Sequence, residues 1–176
     1  MGEPKITDKR WTVDLEKTIQ QEHYDTGYEE RYSFDPTSER ELFIIDTPPP
    51  YPSGTWHIGA VAQYSMIDVI ARSQRLLGKE VRFPWGVDRN GINIEFTLEK
   101  KTGRKMRSYD RGEFLDRCAE IIEDYTQAMR QTAKRVGLSC DYANEYLTDS
   151  ADYRAVSQSI FVDLFRRGAI VEDLRP

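Results

Sequence analysis

The sequence predicts an α/β fold built on a parallel sheet, and three stretches carry that prediction. Residues 42–45 form an apolar run short enough for a buried strand, and three prolines then stop it because proline has no N–H to donate to a sheet. From residue 56 to about 78 the apolar side chains recur at helical spacing. Residues 81–85 are again short and β-prone. Because a strand, a helix and a strand of these lengths form a βαβ unit, we expect the strands near 42–46 and 80–84 to be adjacent and parallel.

Composition and charge argue against several classes of protein. The 176 residues suit one domain, no apolar stretch approaches the ~20 residues of a membrane span, and the charged N-terminus does not resemble a signal peptide. A formal net charge of −5 argues against a strong, non-specific nucleic-acid binder. Cys118 and Cys140 are the only cysteines and lack CxxC spacing, while His23 and His57 lie far apart. The sequence therefore predicts no disulfide, no metal site and no membrane contact, and it favours a cytoplasmic location.

The chain divides into two predicted segments. Residues 1–40 have the pattern of a helical appendage, in which Leu15 and Ile19 form an i,i+4 apolar pair and Gly27 ends the helix. Residues 41–176 contain the βαβ unit and the longer helices that follow it.

Beyond the second strand, residues 93–108 are rich in charge and are interpreted as a basic loop. An apolar stripe then predicts a long helix with Asp110 as its N-cap and Gly137 as its end. Residues 138–142 are interpreted as a connector, and residues 146–148 as a short extended piece.

A last helix is expected from Asp149 or Ser150 to about Arg167. Periodicity predicts which side chains of this helix and of the 56–78 helix face inward. For the last helix they are Val156, Ile160, Phe161, Leu164 and Phe165, and for the earlier helix they are Ile58, Val61, Ala62, Met66, Val69 and Ile70.

The segment between the first strand and its helix predicts a nucleotide site. A rigid proline loop is followed by turn residues 53–55 and by a helix with His57 in its first turn. This order aims backbone N–H groups and the positive end of the helix dipole past the carboxyl end of the strand, where phosphate binds well. Gly59 leaves room for close approach of a flat base. Taken singly, each feature is more often structural, and the prediction rests on their order.

A second candidate lies after the second strand, in residues 86–92. Ligands of parallel sheets gather at the carboxyl ends of the strands, so this loop is expected beside the proline loop. Asp88 there could pair with an α-ammonium group, or it could simply form an Asx-type turn. The residues alone leave both interpretations open.

The stretch Pro-Pro-Pro-x-x-Ser-Gly-x-x-His-Ile-Gly resembles the HIGH motif of the class I aminoacyl-tRNA synthetases, and its triple proline is most similar to the archaeal type of valyl-tRNA synthetase. Ala60 stands where the second histidine is usual. Trp85, Gly86 and Asp88 resemble a second landmark, GWDxxG, with Val87 in place of its tryptophan. The HIGH-like motif comprises Pro50, Tyr51, Pro52, Ser53, Gly54, Thr55, Trp56, His57, Ile58, Gly59 and Ala60.

Residues 105–108 imitate the KMSKS motif of the same family. In relatives that motif lies much further along the sequence, after the editing domain, so we interpret residues 105–108 as part of the basic loop.

The resemblance implies a fold and a set of roles. Residues 41–176 would form the first half of a Rossmann-like parallel-sheet nucleotide-binding domain, truncated at the insertion of an editing domain. His57 would be catalytic. ATP would be bound, with Mg²⁺ as part of the substrate and with no resident metal or organic cofactor, by Thr55, His57, Gly59 and Ala60. Pro49, Pro50 and Asp88 would bind the amino acid.

The implied reaction is the activation of valine with ATP to valyl-adenylate, followed by transfer to tRNA. A fragment of this extent, without the editing domain and the KMSKS loop, is expected to be inactive alone. Isoleucyl- or leucyl-tRNA synthetase is the nearest alternative. A stand-alone nucleotidyl-transfer relative and a non-catalytic interaction module derived from a synthetase are two others, and Ala60 favours the last of these.

Overall fold

The structure is a computed structural model that describes residues 10–53 and 56–174. Among these residues helices and short strands form an α/β arrangement, as predicted. The helices are α1 (Val13–Asp25), α2 (Ile58–Leu76), α3 (Asn93–Thr102), α4 (Arg111–Val136) and α5 (Ala151–Arg166), with a short 3₁₀ turn at Met106–Ser108. The strands are β1 (Leu42–Ile44), β2 (Glu80–Arg82), β3 (Pro84–Val87) and β4 (Asp141–Leu147).

Both strand pairs are parallel. β1 pairs with β2 in the register Phe43 to Val81, which confirms the predicted βαβ unit with α2 as its crossover. β3 pairs with β4, which the sequence analysis had interpreted as a connector and a short extended piece. The extended piece at 146–148 overlaps the end of this strand, but the connector interpretation was wrong, because the polar residues of β4 gave no apolar run to mark a strand.

Residues 80–88 act as one extended segment between β1 and β4. Successive residues of a strand present their backbone groups to opposite sides, and here the even-numbered residues bond towards β1 and the odd-numbered ones towards β4. The bonds towards β1 are Glu80 N to Glu41 O (3.0 Å) and Ile45 N to Arg82 O (2.9 Å); those towards β4 are Asp141 N to Phe83 O (2.8 Å) and Thr148 N to Val87 O (3.1 Å). The carboxyl ends of β1, β3 and β4 therefore lie at one edge of the molecule.

The main core surrounds this central segment. Trp85 is 1% exposed and packs against Tyr142, with ring centroids 5.5 Å apart. Tyr28, which belongs to the N-terminal segment, is buried in the same cluster and donates a hydrogen bond to the carbonyl of Leu138 at 2.6 Å. The division of the chain near residue 40 stays a prediction, although the side chain of Tyr28 packs with the core of the later segment.

Helix α2 is tied to the end of α4 by a buried carboxylate. Asp68 is 6% exposed, and its Oδ1 accepts a hydrogen bond from the backbone N–H of Ser139 at 2.7 Å. Its Oδ2 pairs with Arg72 at 2.7 Å, while Arg75 donates to the carbonyl of Ser139 at 2.9 Å. Because a buried charge is tolerated only when it is paired and hydrogen-bonded, these contacts fix the position of α2 along the sheet.

Helix α4 confirms its predicted ends. The side chain of Asp110 accepts a hydrogen bond from Gly112 N at 2.9 Å, and Gly137 has φ of 83°, the left-handed conformation that ends many helices. The expected loop over residues 93–108 is instead largely helical, because α3 buries Ile94 and Leu98 against α4. Two buried positions in a charged stretch are too few to reveal a helix by periodicity.

The predicted inward faces of α2 and α5 were wrong for most of the named residues. Ile58, Met66 and Val69 of α2 are at least 62% exposed, and the helix buries Tyr64, Asp68 and Ala71 instead. In α5, Leu164 is half-buried, whereas Val156, Ile160, Phe161 and Phe165 are at least 55% exposed. Strand β1, expected to be buried, exposes Leu42 and Ile44 by about half. No described element covers these exposed apolar side chains of α2, α5 and β1.

No helix among the described residues is long and apolar enough to cross a membrane.

We predict that Asp68→Ala destabilises the 176-residue chain strongly. The substitution leaves the buried N–H of Ser139 without its acceptor and Arg72 without its partner, at a cost of about 3 kcal/mol. Urea unfolding measures this, with Glu113→Ala as the control, since Glu113 forms a half-exposed pair with Arg104 worth less than about 1 kcal/mol. Equal unfolding free energies for the two variants would contradict the role given to Asp68.

A second prediction concerns pH and the contact of Glu29 with α4. A hydrogen bond from Lys134, together with the nearby charge of Arg130, lowers the pKa of Glu29 below its ordinary value of 4.5. A lowered folded-state pKa stabilises the fold above the unfolded pKa, and this stabilisation is lost as pH falls through the folded value. The stability difference between the wild type and Glu29→Gln should therefore be present at about pH 7 and shrink towards about pH 3. A difference that grows on acidification would exclude this contact.

Candidate functional site

The proline loop and the loop after β3 are joined directly by backbone. Asp88 N donates to the carbonyl of Pro50 at 2.9 Å, and the hydroxyl of Tyr51 donates to the carbonyl of Gly91 at 3.1 Å. A Cβ at Gly91 would lie 2.7 Å from the Tyr51 ring, so the close approach of the two loops requires glycine there. The structure thus brings together the two loops that the sequence placed at one sheet edge.

The proline loop is also fastened to α2. Tyr64 donates its hydroxyl to the carbonyl of Pro48 at 3.0 Å, and burial raises the pKa of Tyr64 to about 12, so the hydroxyl keeps its proton. Trp56 stacks on Tyr64 with ring centroids 5.0 Å apart, and Pro52 is fully buried. These contacts hold the entrance of α2 against the loop that precedes it.

His57 is the N-cap of α2. Its Nδ1 accepts a hydrogen bond from Ala60 N at 3.2 Å, and the imidazole is exposed. A neutral imidazole whose Nδ1 is an acceptor carries its hydrogen on Nε2, which therefore remains a donor. The ring lies over Gly59, where a Cβ would be only 3.0 Å from Nδ1. The histidine predicted to be catalytic thus also caps its helix.

The helix N-terminus offers fewer free donors than the sequence suggested. Ala60 N is shared between Nδ1 and the carbonyl oxygen of His57. Within the described part of the chain, the N–H groups of Ile58 and Gly59 have no hydrogen-bond partner. Gly54 and Thr55, two members of the predicted motif, lie outside the described residues, so the ATP-binding role of Thr55 stays a prediction.

Asp88 is half-buried and its carboxylate is oriented by two donors. Oδ1 accepts from Asn90 N at 3.0 Å, which is an Asx-type turn, and from the hydroxyl of Thr148 at 3.1 Å. Oδ2 has no hydrogen-bond partner among the residues that the structure describes. The turn interpretation is therefore confirmed and uses one oxygen, whereas the pairing of Asp88 with an ammonium group stays a prediction. Pro49 and Pro50 are half-buried in the adjoining loop.

Gly86 is required by its surroundings. The ring of Tyr146 lies over it so closely that a Cβ would be 2.1 Å from the ring's Cζ. Tyr146 in turn stacks on Tyr153 of α5, with ring centroids 6.0 Å apart. The glycine of the second landmark therefore lets β4 and its aromatic side chain close over the end of β3.

Sequence reasoning missed Thr148, which is buried and lies 60 residues beyond Asp88. The available signal was the tripeptide at 146–148, which was interpreted as extended but was not paired with a strand. Among the residues described, no group of three or more His, Cys, Asp or Glu could hold a metal ion. The polar groups at this edge are donors, namely backbone N–H groups and one imidazole, and one acceptor, the Asp88 carboxylate. Donors suit an anionic ligand, and the carboxylate suits an ammonium group.

Residues 19–176 match the family described as tRNA synthetases class I (I, L, M and V). The chain is 40% identical to the valine–tRNA ligase of Aeropyrum pernix over 184 residues, which cover all of this chain and 22% of the relative. It is 43% identical to the valine–tRNA ligase of Archaeoglobus fulgidus over 148 residues, or 84% of this chain and 17% of the relative.

A solved structure is also similar, that of a LeuRS from Agrobacterium radiobacter in a ternary complex with tRNA and LeuAMS. It has a TM-score of 0.69 and 31% identity, covering 90% of this chain and 18% of that chain. The chain thus spans about a fifth of the length of these relatives. These matches confirm the resemblance seen in the HIGH-like motif, and the chain belongs to the class I tRNA synthetases of the isoleucine, leucine, methionine and valine group.

Proposed function

We propose that this chain is part of a valine–tRNA ligase and supplies one wall of its amino-acid activation site. The observation that carries the proposal is the hydrogen bond from Asp88 N to Pro50 O, which sets a carboxylate beside the proline loop and the His57 helix. The relatives of 40% and 43% identity are valine–tRNA ligases, which supports valine as the amino acid. Residues 41–176 would contribute the first half of the nucleotide-binding domain, and residues 1–40 an appendage to it.

In the first step of the proposed reaction, a carboxylate oxygen of valine attacks the α-phosphorus of ATP. The bond from that phosphorus to the bridging oxygen breaks, and the products are valyl-adenylate and pyrophosphate. Catalysis of such a transfer is mainly positioning and stabilisation of developing negative charge. His57 would donate from Nε2 to the phosphates, and the N–H groups of Ile58 and Gly59 would add donors at the helix N-terminus.

The amino acid would lie between the proline loop and Asp88. The free Oδ2 of Asp88 would accept the α-ammonium group, while Pro49 and Pro50 would form an apolar wall for the side chain. Gly59 and Ala60 would contact the nucleotide beside the His57 ring. Mg²⁺ would enter with the ATP phosphates, and the activated valine would then pass to the 3′ end of tRNA in a cytoplasmic reaction.

Leucine or isoleucine is the second candidate substrate, and the similarity to a LeuRS structure is the observation that favours it. Valine differs from isoleucine and from leucine by one methylene, and a hydrophobic pocket separates such amino acids only ~10–200-fold. Because similar folds can carry pockets for any of the three, the structural similarity does not decide the substrate. Amino-acid-dependent ATP–pyrophosphate exchange by the full-length protein decides it, with valine, isoleucine, leucine and threonine compared at equal concentration.

We predict that Asp88→Ala in the full-length protein raises the KM for valine far more than the KM for ATP. Truncating one partner of a desolvated charge pair costs roughly 2–5 kcal/mol, which is about 30-fold or more in KM. Pyrophosphate exchange measures both constants, and Asp163→Ala, which removes an exposed carboxylate of α5, is the control that should change neither. An unchanged valine KM in Asp88→Ala would remove Asp88 from the ammonium site.

We further predict that His57→Ala and His57→Asn both lower kcat for adenylate formation, with little change in valine KM. Loss of one donor aimed at developing charge costs roughly 10²–10³-fold in rate. Asparagine is a good N-cap and keeps an acceptor for Ala60 N, but it lacks the reach of Nε2, whereas alanine also loses the cap, at a cost of about 1 kcal/mol in stability. Full activity in His57→Asn would mean that the histidine serves only as a cap.

A further inference from the structure

We propose that Thr148 is a positioning residue for amino-acid binding: its hydroxyl holds Asp88 Oδ1 so that Oδ2 faces the α-ammonium group of the substrate. The inference rests on the proposed function, since it assumes that Asp88 binds the ammonium. It adds the residue that directly follows β4, the strand beside the one that leads to Asp88.

The hydrogen bonds around Thr148 leave its hydroxyl only one direction to donate. Arg89 N and Asn90 Nδ2 both donate to Oγ1, each at 2.9 Å. A hydroxyl has two lone pairs and one hydrogen, so both of its acceptor positions are occupied. The remaining hydrogen points to the nearest acceptor, Asp88 Oδ1, at 3.1 Å.

The turn that carries Asp88 is held to the end of β4 in two further ways. Asn90 Nδ2 also donates to the carbonyl of Thr148 at 3.2 Å, and Thr148 N bonds to Val87 O at 3.1 Å. The Arg89 side chain, 10% exposed, lies 3.2 Å from Asp149 and 2.7 Å from Glu123. Removing the hydroxyl also takes away the acceptor of Arg89 N, while the bonds from Asn90 Nδ2 to Thr148 O and from Thr148 N to Val87 O remain. The turn therefore keeps two of its anchors, and comparison with Asp88→Ala isolates the effect on the carboxylate.

The orientation of that carboxylate determines which oxygen is free. Asn90 N alone could bond either oxygen as the side chain rotates, because the two oxygens of a carboxylate are equivalent. The added donor, the hydroxyl of Thr148 just after β4, holds Oδ1 on the protein side and leaves Oδ2 without a described partner. A carboxylate that is held before the ligand arrives loses less freedom on binding, which favours affinity.

The test uses the full-length protein and ATP–pyrophosphate exchange with valine. Thr148→Val keeps the shape and removes the hydroxyl, and Thr148→Ser keeps the hydroxyl. Hydrogen bonds to charged groups are worth enough that Thr148→Val should raise the valine KM about tenfold or more, with kcat and the ATP KM unchanged. Thr148→Ser should behave as wild type. Thr126→Val is the matched control, because Thr126 is also buried but donates only to the carbonyl of Ile122 within α4.

A second arm asks whether the effect passes through Asp88. In the Asp88→Ala background, Thr148→Val should raise the valine KM no further, because the carboxylate that it positions is absent. Additive effects in the double variant would overturn the proposal. A Thr148→Val enzyme with the wild-type valine KM would also overturn it. So would a combined loss of kcat, ATP binding and thermal stability in both Thr148→Val and Thr148→Ser.

The same variants separate this inference from the proposed function. If Asp88→Ala raises the valine KM and Thr148→Val does not, Asp88 still binds the ammonium and only the positioning role fails. If Asp88→Ala itself leaves the valine KM unchanged, the proposed ammonium site fails and the role of Thr148 fails with it.

Discussion

The alternation of backbone hydrogen bonds along residues 80–88 is the constraint on which the site depends. One extended segment bonds to β1 through its even-numbered residues and to β4 through its odd-numbered ones. Both β1 and β4 run parallel to this segment. The carboxyl ends of all three strands therefore lie at the same edge. Asp88, an even-numbered residue, continues towards the β1 side by donating its N–H to Pro50 O. On the β4 side, the last bond is the one from Thr148 N to Val87 O. The Asp88 carboxylate therefore lies between the proline loop and the end of β4.

His57 shows how one side chain serves both the fold and the proposed chemistry. Using Nδ1 for the cap fixes the tautomer and the orientation of the ring, and this leaves Nε2 as a donor on the exposed side. Tyr64 and Asp68 anchor the same helix at its next two turns, one to the proline loop and one to the end of α4. The exposed imidazole is thus carried by a helix whose position is determined by buried polar contacts.

The sequence predicted the elements whose evidence is local. Helices α2 and α4 and the β1–β2 pair follow from periodicity, caps and prolines within a few residues of each other. Helix α3 was missed because only Ile94 and Leu98 are buried, and β4 because its pairing partner lies more than fifty residues away. The faces of α2 and α5 were wrong because periodicity reports that a helix has an apolar face, and not which part of a longer protein covers it. Asp88 was identifiable from the family landmark, but its contact with Thr148 depends on a strand pairing that no local pattern reveals.

The proline loop explains why most of the site's fixed contacts are made through carbonyl groups. The three consecutive prolines have no N–H, so this part of the loop has no backbone donor. Two of these prolines instead accept hydrogen bonds from outside the loop, Pro48 O from the hydroxyl of Tyr64 and Pro50 O from the backbone N–H of Asp88. Such bonds fix the backbone of the loop and involve none of its ring atoms. The half-buried rings of Pro49 and Pro50 thus form an apolar surface that one hydrogen bond holds next to the Asp88 carboxylate. A pocket for a small aliphatic amino acid, as we propose, would need this combination of an apolar wall and a charged group.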